Sequence, residues 1–251
     1  MVNLKLLKLA CADCRVATLC LPRGLDREDM ERLDGIVKRG PPLQRGQYLY
    51  RQGDPMRGLF AVRAGSLRAF TSAADGTEQT VGFYLLGEVL GFDGLERECH
   101  TCAAVALETT AVCELPLGRL EELCAELPRL QQQLLKFIGK EIASEHQSLL
   151  LLANRSAEER LATFLLSLAT RFGERGLSRT EFNLSMSRQD IANFLGIAAE
   201  TVSRQLSSFQ GQGILSVNQR NVRIHDLDRL RNFVESCLTP PRMPGSAEGA
   251  S

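Results

Sequence analysis

Between Pro42 and about Pro116 the chain is a series of short apolar runs broken by turn signals every 8–12 residues or so, the texture of a small all-β unit. Leu59-Phe60-Ala61-Val62 and Thr80-Val81-Gly82-Phe83-Tyr84 read as strands. Turns fall at Arg45-Gly46, Gln52-Gly53-Asp54-Pro55, Ala64-Gly65, Leu86-Gly87 and Phe92-Asp93-Gly94. Asp75-Gly76, set between two strand-like runs, predicts a tight hairpin. The spacing predicts a compact β-barrel or roll. A short helix precedes it, with Leu25, Met30, Leu33, Ile36 and Val37 at mixed three- and four-residue steps.

From Leu117 the period turns helical. Leu127, Leu130, Leu134, Ile138, Ile142, Leu149 and Leu152 recur at steps of three and four, or sums of these. A lone surface helix fits this pattern, but its length favours a coiled-coil-like seam between two copies. Leu134, Ile138, Ile142, Glu145 and Leu149 are then the dimerisation residues. Glu145 is acidic and meets its own copy across a two-fold axis, which makes association conditional. A second helix runs from Ala157 to about Phe172 and leads through Arg175-Gly176 into a C-terminal region. The Pro/Gly/Ser-rich end after Cys237 carries no apolar pattern and is expected to be disordered.

These textures predict an α+β protein. Residues 1–23 form a cysteine-bearing arm, 24–120 the β-unit, 121–153 the long helix, 154–237 a C-terminal domain and 238–251 a tail.

Thirty basic residues balance thirty acidic ones over 251 residues, so no global field draws the chain to nucleic acid. DNA binding must rest on a local face and on specific readout. The opening residues up to Cys11 faintly resemble a lipoprotein leader, but Lys5 and Lys8 interrupt a short apolar run. No stretch nears the roughly 20 apolar residues of a membrane span. The expectation is a cytoplasmic protein with no membrane partner, whose eight cysteines are metal ligands, redox thiols or buried hydrophobes rather than disulfides.

In the C-terminal region Ser187 caps a helix with Asp190 three residues on, and Gly196 ends that helix where a left-handed residue is wanted. Ala199 starts a second helix whose inward positions are Val202, Leu206 and Phe209. Two short helices joined by a glycine turn are the helix-turn-helix pattern. Glu200, Ser203 and Arg204 share one outward stripe of the second helix. There an Arg can grip guanine O6 and N7, and a Glu can accept from cytosine N4, each contact worth about 1–3 kcal/mol of discrimination. The plainer alternative is a Glu200–Arg204 surface ion pair worth tenths of a kcal/mol. Leu215–Val217 and Val222–Ile224 read as a wing hairpin with Arg220 at its tip, suited to a phosphate. Ser187 and Arg188 at the start of the first helix complete the DNA-binding candidates.

Cys11-x2-Cys14-x5-Cys20 puts three thiols within ten residues on an arm too short to bury them. Thiolates that close want a metal. A fourth ligand must come from the body, with Cys99, Cys102, Cys113, Cys124 and Cys237 as candidates. Spacing leaves zinc and an iron–sulfur cluster equally open. Cys99-His100-Thr101-Cys102 has the spacing of a metal half-site, a redox pair or a coincidence, and Cys124 reads as a buried hydrophobe.

With these residues assembled, the sequence resembles the fumarate-and-nitrate-reductase regulator (FNR) branch of the cAMP receptor protein superfamily. The resemblance runs from about Cys11 to Leu227. It is carried by the cysteine arm, by Ala106-Leu107-Glu108-Thr109-Thr110-Ala111-Val112-Cys113-Glu114-Leu115-Pro116, and by Glu200-Thr201-Val202-Ser203-Arg204. It implies a cyclic-nucleotide-binding-like β-roll sensor, a long dimerisation helix and a C-terminal winged helix-turn-helix. It also implies that Cys113 is the fourth ligand and that Cys11, Cys14, Cys20 and Cys113 hold a 4Fe–4S cluster. The implied activity is oxygen-responsive transcription control by a homodimer on double-stranded DNA. Glu200, Ser203 and Arg204 would read a TTGAT-type half-site, and RNA polymerase would be met around Ser72–Gln79, Thr109 and Arg175. The rival reading is the same architecture with structural zinc, or with thiols sensing redox state or nitric oxide. A thiol oxidoreductase lacks the βαβ setting its CxxC pair would need.

Arg15, bulky beside Cys14, and the extra Cys99 and Cys102 depart from the family pattern. Cyclic-nucleotide pockets of the superfamily pair a Gly-Glu strand with an Arg-Ser or Arg-Thr phosphate fork. Gly87-Glu88 is present, but His100-Thr101 stands where the fork belongs, which argues against cAMP despite Arg97 nearby.

Overall fold

The computed structural model describes residues 10–153 and 155–235. Cys237 and the tail at 238–251 lie outside the described residues, as do the first nine positions and the side chain of Leu152. The chain divides into two compact units, Met1–Leu150 with Ser185–Ala199, and Leu151–Leu184 with Glu200–Ser251.

In the first unit a single 3-10 turn at Cys11–Asp13 leads to α1 (Arg27–Ile36), capped by the Asp26 carboxylate on Asp29 N–H. Eight strands follow: β1 (Lys38–Arg39), β2 (Tyr48–Tyr50), β3 (Gly58–Ala64), β4 (Ser66–Ser72), β5 (Glu78–Leu85), β6 (Val89–Leu90), β7 (Ala103–Ala106) and β8 (Ala111–Pro116). They form two four-stranded sheets, ordered β1-β8-β3-β6 and β2-β7-β4-β5, with antiparallel pairing throughout. The Asp75-Gly76 hairpin joins β4 to β5, with Gly76 at φ 83°.

The two-residue period of β3 explains how the sheets stack. Phe60 and Val62 join Tyr50, Leu67, Ala69, Cys102 and Ala104 in one core, while Leu59 and Ala61 turn to the opposite face. On that face they meet Leu21 of the arm, Leu33 of α1, Leu115 of β8 and the helices that follow β8. Fully burying such a leucine stabilises by about 1.5–3 kcal/mol.

Where the sequence suggests one continuous helix over 121–153, the structure has α2 (Leu117–Glu126) and α3 (Pro128–Ala153). Pro128 bars the preceding residue from the helical region, and Leu127 sits at φ −118°, ψ 88°. The expected boundary at 120/121 therefore falls inside α2.

The expected seam is also redistributed along α3. Leu127 and Leu130 are buried in the unit's own core, and Leu134 packs half-buried against it. Leu134 thus gives part of its side chain to this core. Leu135, Ile142 and Leu149 are 61%, 48% and 66% exposed and repeat every seven residues. With half-buried Ile138 and exposed Glu145, the outward stripe starts at Leu135.

The first unit also contains α5 (Arg188–Leu195). Its Asp190 pairs with Arg68 at 3.2 Å, its Phe194 ring lies 5.4 Å from Phe83, and Ser185 bonds Ser66 at 2.8 Å.

The second unit is built on α4 (Ala157–Glu174), which opens with a Ser156–Glu159 capping box, and on α6 (Ala199–Gly211). A sheet ordered β10-β11-β9 comprises β9 (Glu181–Asn183), β10 (Leu215–Asn218) and β11 (Asn221–Ile224). The terminal α7 (Leu227–Glu235) packs against α4. The hairpin of β10 and β11 is the expected wing; β9, its third strand, is an addition to the sequence reading.

Candidate metal centre and nucleic-acid interface

The arm is a chain of tight turns. Cys14 N–H donates to Cys11 C=O at 3.2 Å, Ala17 to Cys14 at 3.0 Å and Cys20 to Val16 at 2.9 Å. Buried Val16 and Leu21 anchor it. Gly87, at φ 83° in the turn before β6, lets it approach: a Cβ there would stand 3.0 Å from Leu19 and 3.6 Å from Val16.

Folded this way, Cys11, Cys14 and Cys20 line one cavity together with Cys113. Cys113 reaches it by strand alternation, since it pairs with Ala61 in β3 while Leu115, two residues on, pairs with Leu59 on the same face. The other walls include Val16, Leu21, Leu33, Val37 and Val62, with Arg63 as a cation. Among the described residues no three His, Cys, Asp or Glu side chains gather tightly enough for a single metal ion.

Burial pushes the Cys11 thiol up to about 12, helped by its bond to Asp34. It does the same to Cys20. Burial also raises Cys113, against the pull of the Arg39 and Arg63 guanidiniums. Raised in this way, these thiols keep their protons near neutral pH, with the Arg39 and Arg63 guanidiniums as the nearby cations. The donors on offer there are four soft thiols on a largely apolar wall, the donor type that suits soft metals.

The remaining cysteines are held differently. Cys102 donates its thiol to Asp93 at 3.4 Å, and burial raises its pKa to about 12. Cys124 is buried in the helix-facing core. Cys99 bridges Pro55. His100 is buried with its ring stacked on Tyr50 at 3.6 Å and Nδ1 3.3 Å from Asp93. Thr101 N–H donates to the same carboxylate at 2.8 Å. Arg97 is exposed and paired with Glu96 at 3.6 Å, and Glu88 accepts Leu85 N–H in its own turn at 2.8 Å. Arg15 is exposed.

The helix-turn-helix signals have local counterparts. Ser187 and Asp190 form a reciprocal capping box, and Gly196 closes α5 in the left-handed region at φ 62°. Half-buried Arg188 opens that helix. In the second unit Val202, Leu206 and Phe209 of α6 are buried, leaving Glu200, Ser203 and Arg204 on its exposed side. Arg220, also exposed, follows Gln219 (φ 54°) in the turn between β10 and β11. The structure thus gathers the four cysteines at one cavity and the three α6 residues on one face.

Sequence reasoning missed Asp34, Arg39 and Arg63 beside the cysteines, because only long-range pairing brings them there. It also missed Leu135, although the seven-residue spacing to Ile142 and Leu149 is visible in the sequence.

Comparison with known proteins gives a consistent picture. Residues 159–233 match the Crp-like helix-turn-helix domain, and residues 42–126 the cyclic nucleotide-binding domain. The chain is 49% identical over 216 residues to the transcriptional activator protein anr of Pseudomonas aeruginosa, covering 86% of this chain and 88% of that protein. To the fumarate and nitrate reduction regulatory protein of Escherichia coli it is 41% identical over 220 residues, 88% of each chain. FixK2 from Bradyrhizobium japonicum superposes with a TM-score of 0.72 at 30% identity, over 79% of this chain and 97% of that one. The chain is no enzyme: it belongs to the FNR branch of the CRP/FNR family of DNA-binding transcription regulators.

Proposed function

We propose that this chain is a cytoplasmic, oxygen-responsive regulator of genes for anaerobic metabolism. In this reading it binds a TTGAT-type inverted repeat as a homodimer while a 4Fe–4S cluster is held on Cys11, Cys14, Cys20 and Cys113. The observation that carries the reading is the cavity those four side chains share between arm and β-roll. The names of the relatives, a fumarate and nitrate reduction regulator among them, support it.

A 4Fe–4S cluster held on those four cysteines would supply the oxygen-labile element. The chain's own residues supply the rest. Cys113 on β8 and the three arm cysteines tie the arm to the sheet that also carries the start of α3 on its face. Leu135, Ile138, Ile142 and Leu149 pair with their copies, and Glu145 opposes that pairing. A few kcal/mol separates the two association states, so one like-charge pair is a sufficient lever. In the dimer Glu200, Ser203 and Arg204 read base edges while Arg220, Ser187 and Arg188 meet phosphates, with half-sites about one helical turn apart. RNA polymerase is met around Ser72–Gln79, Thr109 and Arg175.

Cyclic AMP is not the effector in this reading. His100 is committed to Tyr50 and Asp93, Arg97 faces outward, and Glu88 is used in its own turn.

Four thiols at one cavity and the names of the relatives support a cluster, and structural zinc on the same cysteines is the rival reading. Anaerobic reconstitution followed by absorbance tests this. A broad band near ~400 nm that bleaches in air supports the reading, and stoichiometric zinc or bare thiols overturn it.

A further inference from the structure

Asp34 lies in the last turn of α1 next to the cysteine cavity, and its carboxylate has two partners. It accepts the backbone N–H of Cys11 at 2.8 Å and pairs with the guanidinium of Arg39. Arg39 lies in β1 directly opposite Cys113 in the strand register. The Nη2 of the same guanidinium stands 3.7 Å from Cys11 Sγ, so it touches the arm thiol from the strand that neighbours Cys113. The two side chains are only 20% and 27% exposed. Arg39 Nε is buried and has no hydrogen-bond partner, which leaves a donor to spare.

An ordinary surface ion pair joins two side chains and does little more. Here one carboxylate and one guanidinium connect the arm, α1 and β1, and both reach Cys11 itself.

We infer that Asp34 and Arg39 are positioning residues of the cysteine site. They hold Cys11 at the cavity wall beside Cys113 before any metal binds, and Arg39 donates to the Cys11 sulfur once it is a thiolate ligand. The inference rests on the proposal that these cysteines share one cluster. Prior ordering of the arm lowers the entropic cost of assembling four ligands. An N–H donated to a ligand sulfur stabilises added negative charge there and so raises a cluster's reduction potential. Lysine keeps the charge of Arg39 but not its planar fork, so it cannot serve Asp34 and Cys11 together.

The test uses the full chain with Asp34→Asn, Arg39→Met and Arg39→Lys, each checked for an unchanged circular dichroism spectrum. In the metal-free protein, alkylation of Cys11 is followed by mass spectrometry, with Cys99 as internal reference. Asp34→Asn and Arg39→Met should speed Cys11 about tenfold and leave Cys99 unchanged, with Arg39→Lys intermediate. Unchanged Cys11 rates overturn the clasp. In the reconstituted protein, Arg39→Met should lower the cluster's reduction potential and shorten its lifetime in air at least severalfold, while iron content stays near wild type. An unaltered potential overturns the sulfur contact. If the wild type binds no cluster while the alkylation difference persists, the clasp stands and the cluster reading falls.

Discussion

Replacing Glu145 by alanine removes one carboxylate from each copy of α3, at a position between exposed Ile142 and exposed Leu149. Take the paired carboxylates of a two-fold seam to be separated by on the order of 6 Å. They then repel by about 0.7 kcal/mol in bulk water and by about 3 kcal/mol at the effective permittivity of a protein surface. At about 1.4 kcal/mol per decade, the dimer dissociation constant falls between about 3-fold and 100-fold on removing them. Glu145→Gln, nearly the same size, should recover most of the gain, because charge rather than volume opposes association. Added salt should tighten the wild-type dimer and leave the alanine variant almost unmoved. Sedimentation of metal-free protein in air over a concentration series measures all three quantities. The variant should also hold DNA in air. A Glu145→Ala protein that stays monomeric at wild-type concentrations would refute the placement of Glu145 on the seam.

The other expectations are more local. Cys113→Ser should abolish iron binding on anaerobic reconstitution, whereas Cys102→Ser and Cys124→Ser should retain it, since those thiols belong to Asp93 and to the helix-facing core; an iron assay distinguishes them. Arg204→Ala should cost about 1–3 kcal/mol and relax preference at one guanine, while Arg220→Ala should weaken all sequences alike and lower the salt slope by about 1 in fluorescence-anisotropy titrations. Burial opposes ionisation of Asp93, but its bonds to His100 and Cys102 outweigh this and hold the carboxyl below its ordinary range. A depressed carboxylate contributes stability above the unfolded value of about 3.9 and loses it as pH falls through the folded value. Wild type should therefore lose stability in acid below about pH 4. Asp93→Asn should be about 1–3 kcal/mol less stable at neutral pH and lack that component of the acid loss, as read by thermal melts.

The features that the sequence made legible are those written in neighbouring residues. Ser187 with Asp190, Gly196, and Asp75-Gly76 each act within a few positions, and the structure carries all of them in place. The three arm cysteines are legible for the same reason. What stayed hidden depends on strand register and on which helix face meets the core. Arg39 comes opposite Cys113 only because the two-residue strand β1 pairs with β8 across more than seventy positions of chain. Leu134 and Leu135 are indistinguishable by type; packing against Leu127, Leu130 and the sheet decides that the first gives part of its side chain to the core and the second turns outward. Pro128 was a visible sign of the break between α2 and α3, outweighed by the apolar period running through it.

The central claim couples a DNA reader to an oxygen-labile centre on four cysteines. The most direct measurement is a titration of a TTGAT-type inverted repeat with anaerobically reconstituted protein, repeated on the same sample after air is admitted, with iron and sulfide assayed at both points. The account predicts about four iron and four sulfide per chain with tight binding at the first point, and loss of both at the second. Tight binding that persists in air after the iron has gone, or binding that never required iron, would contradict it.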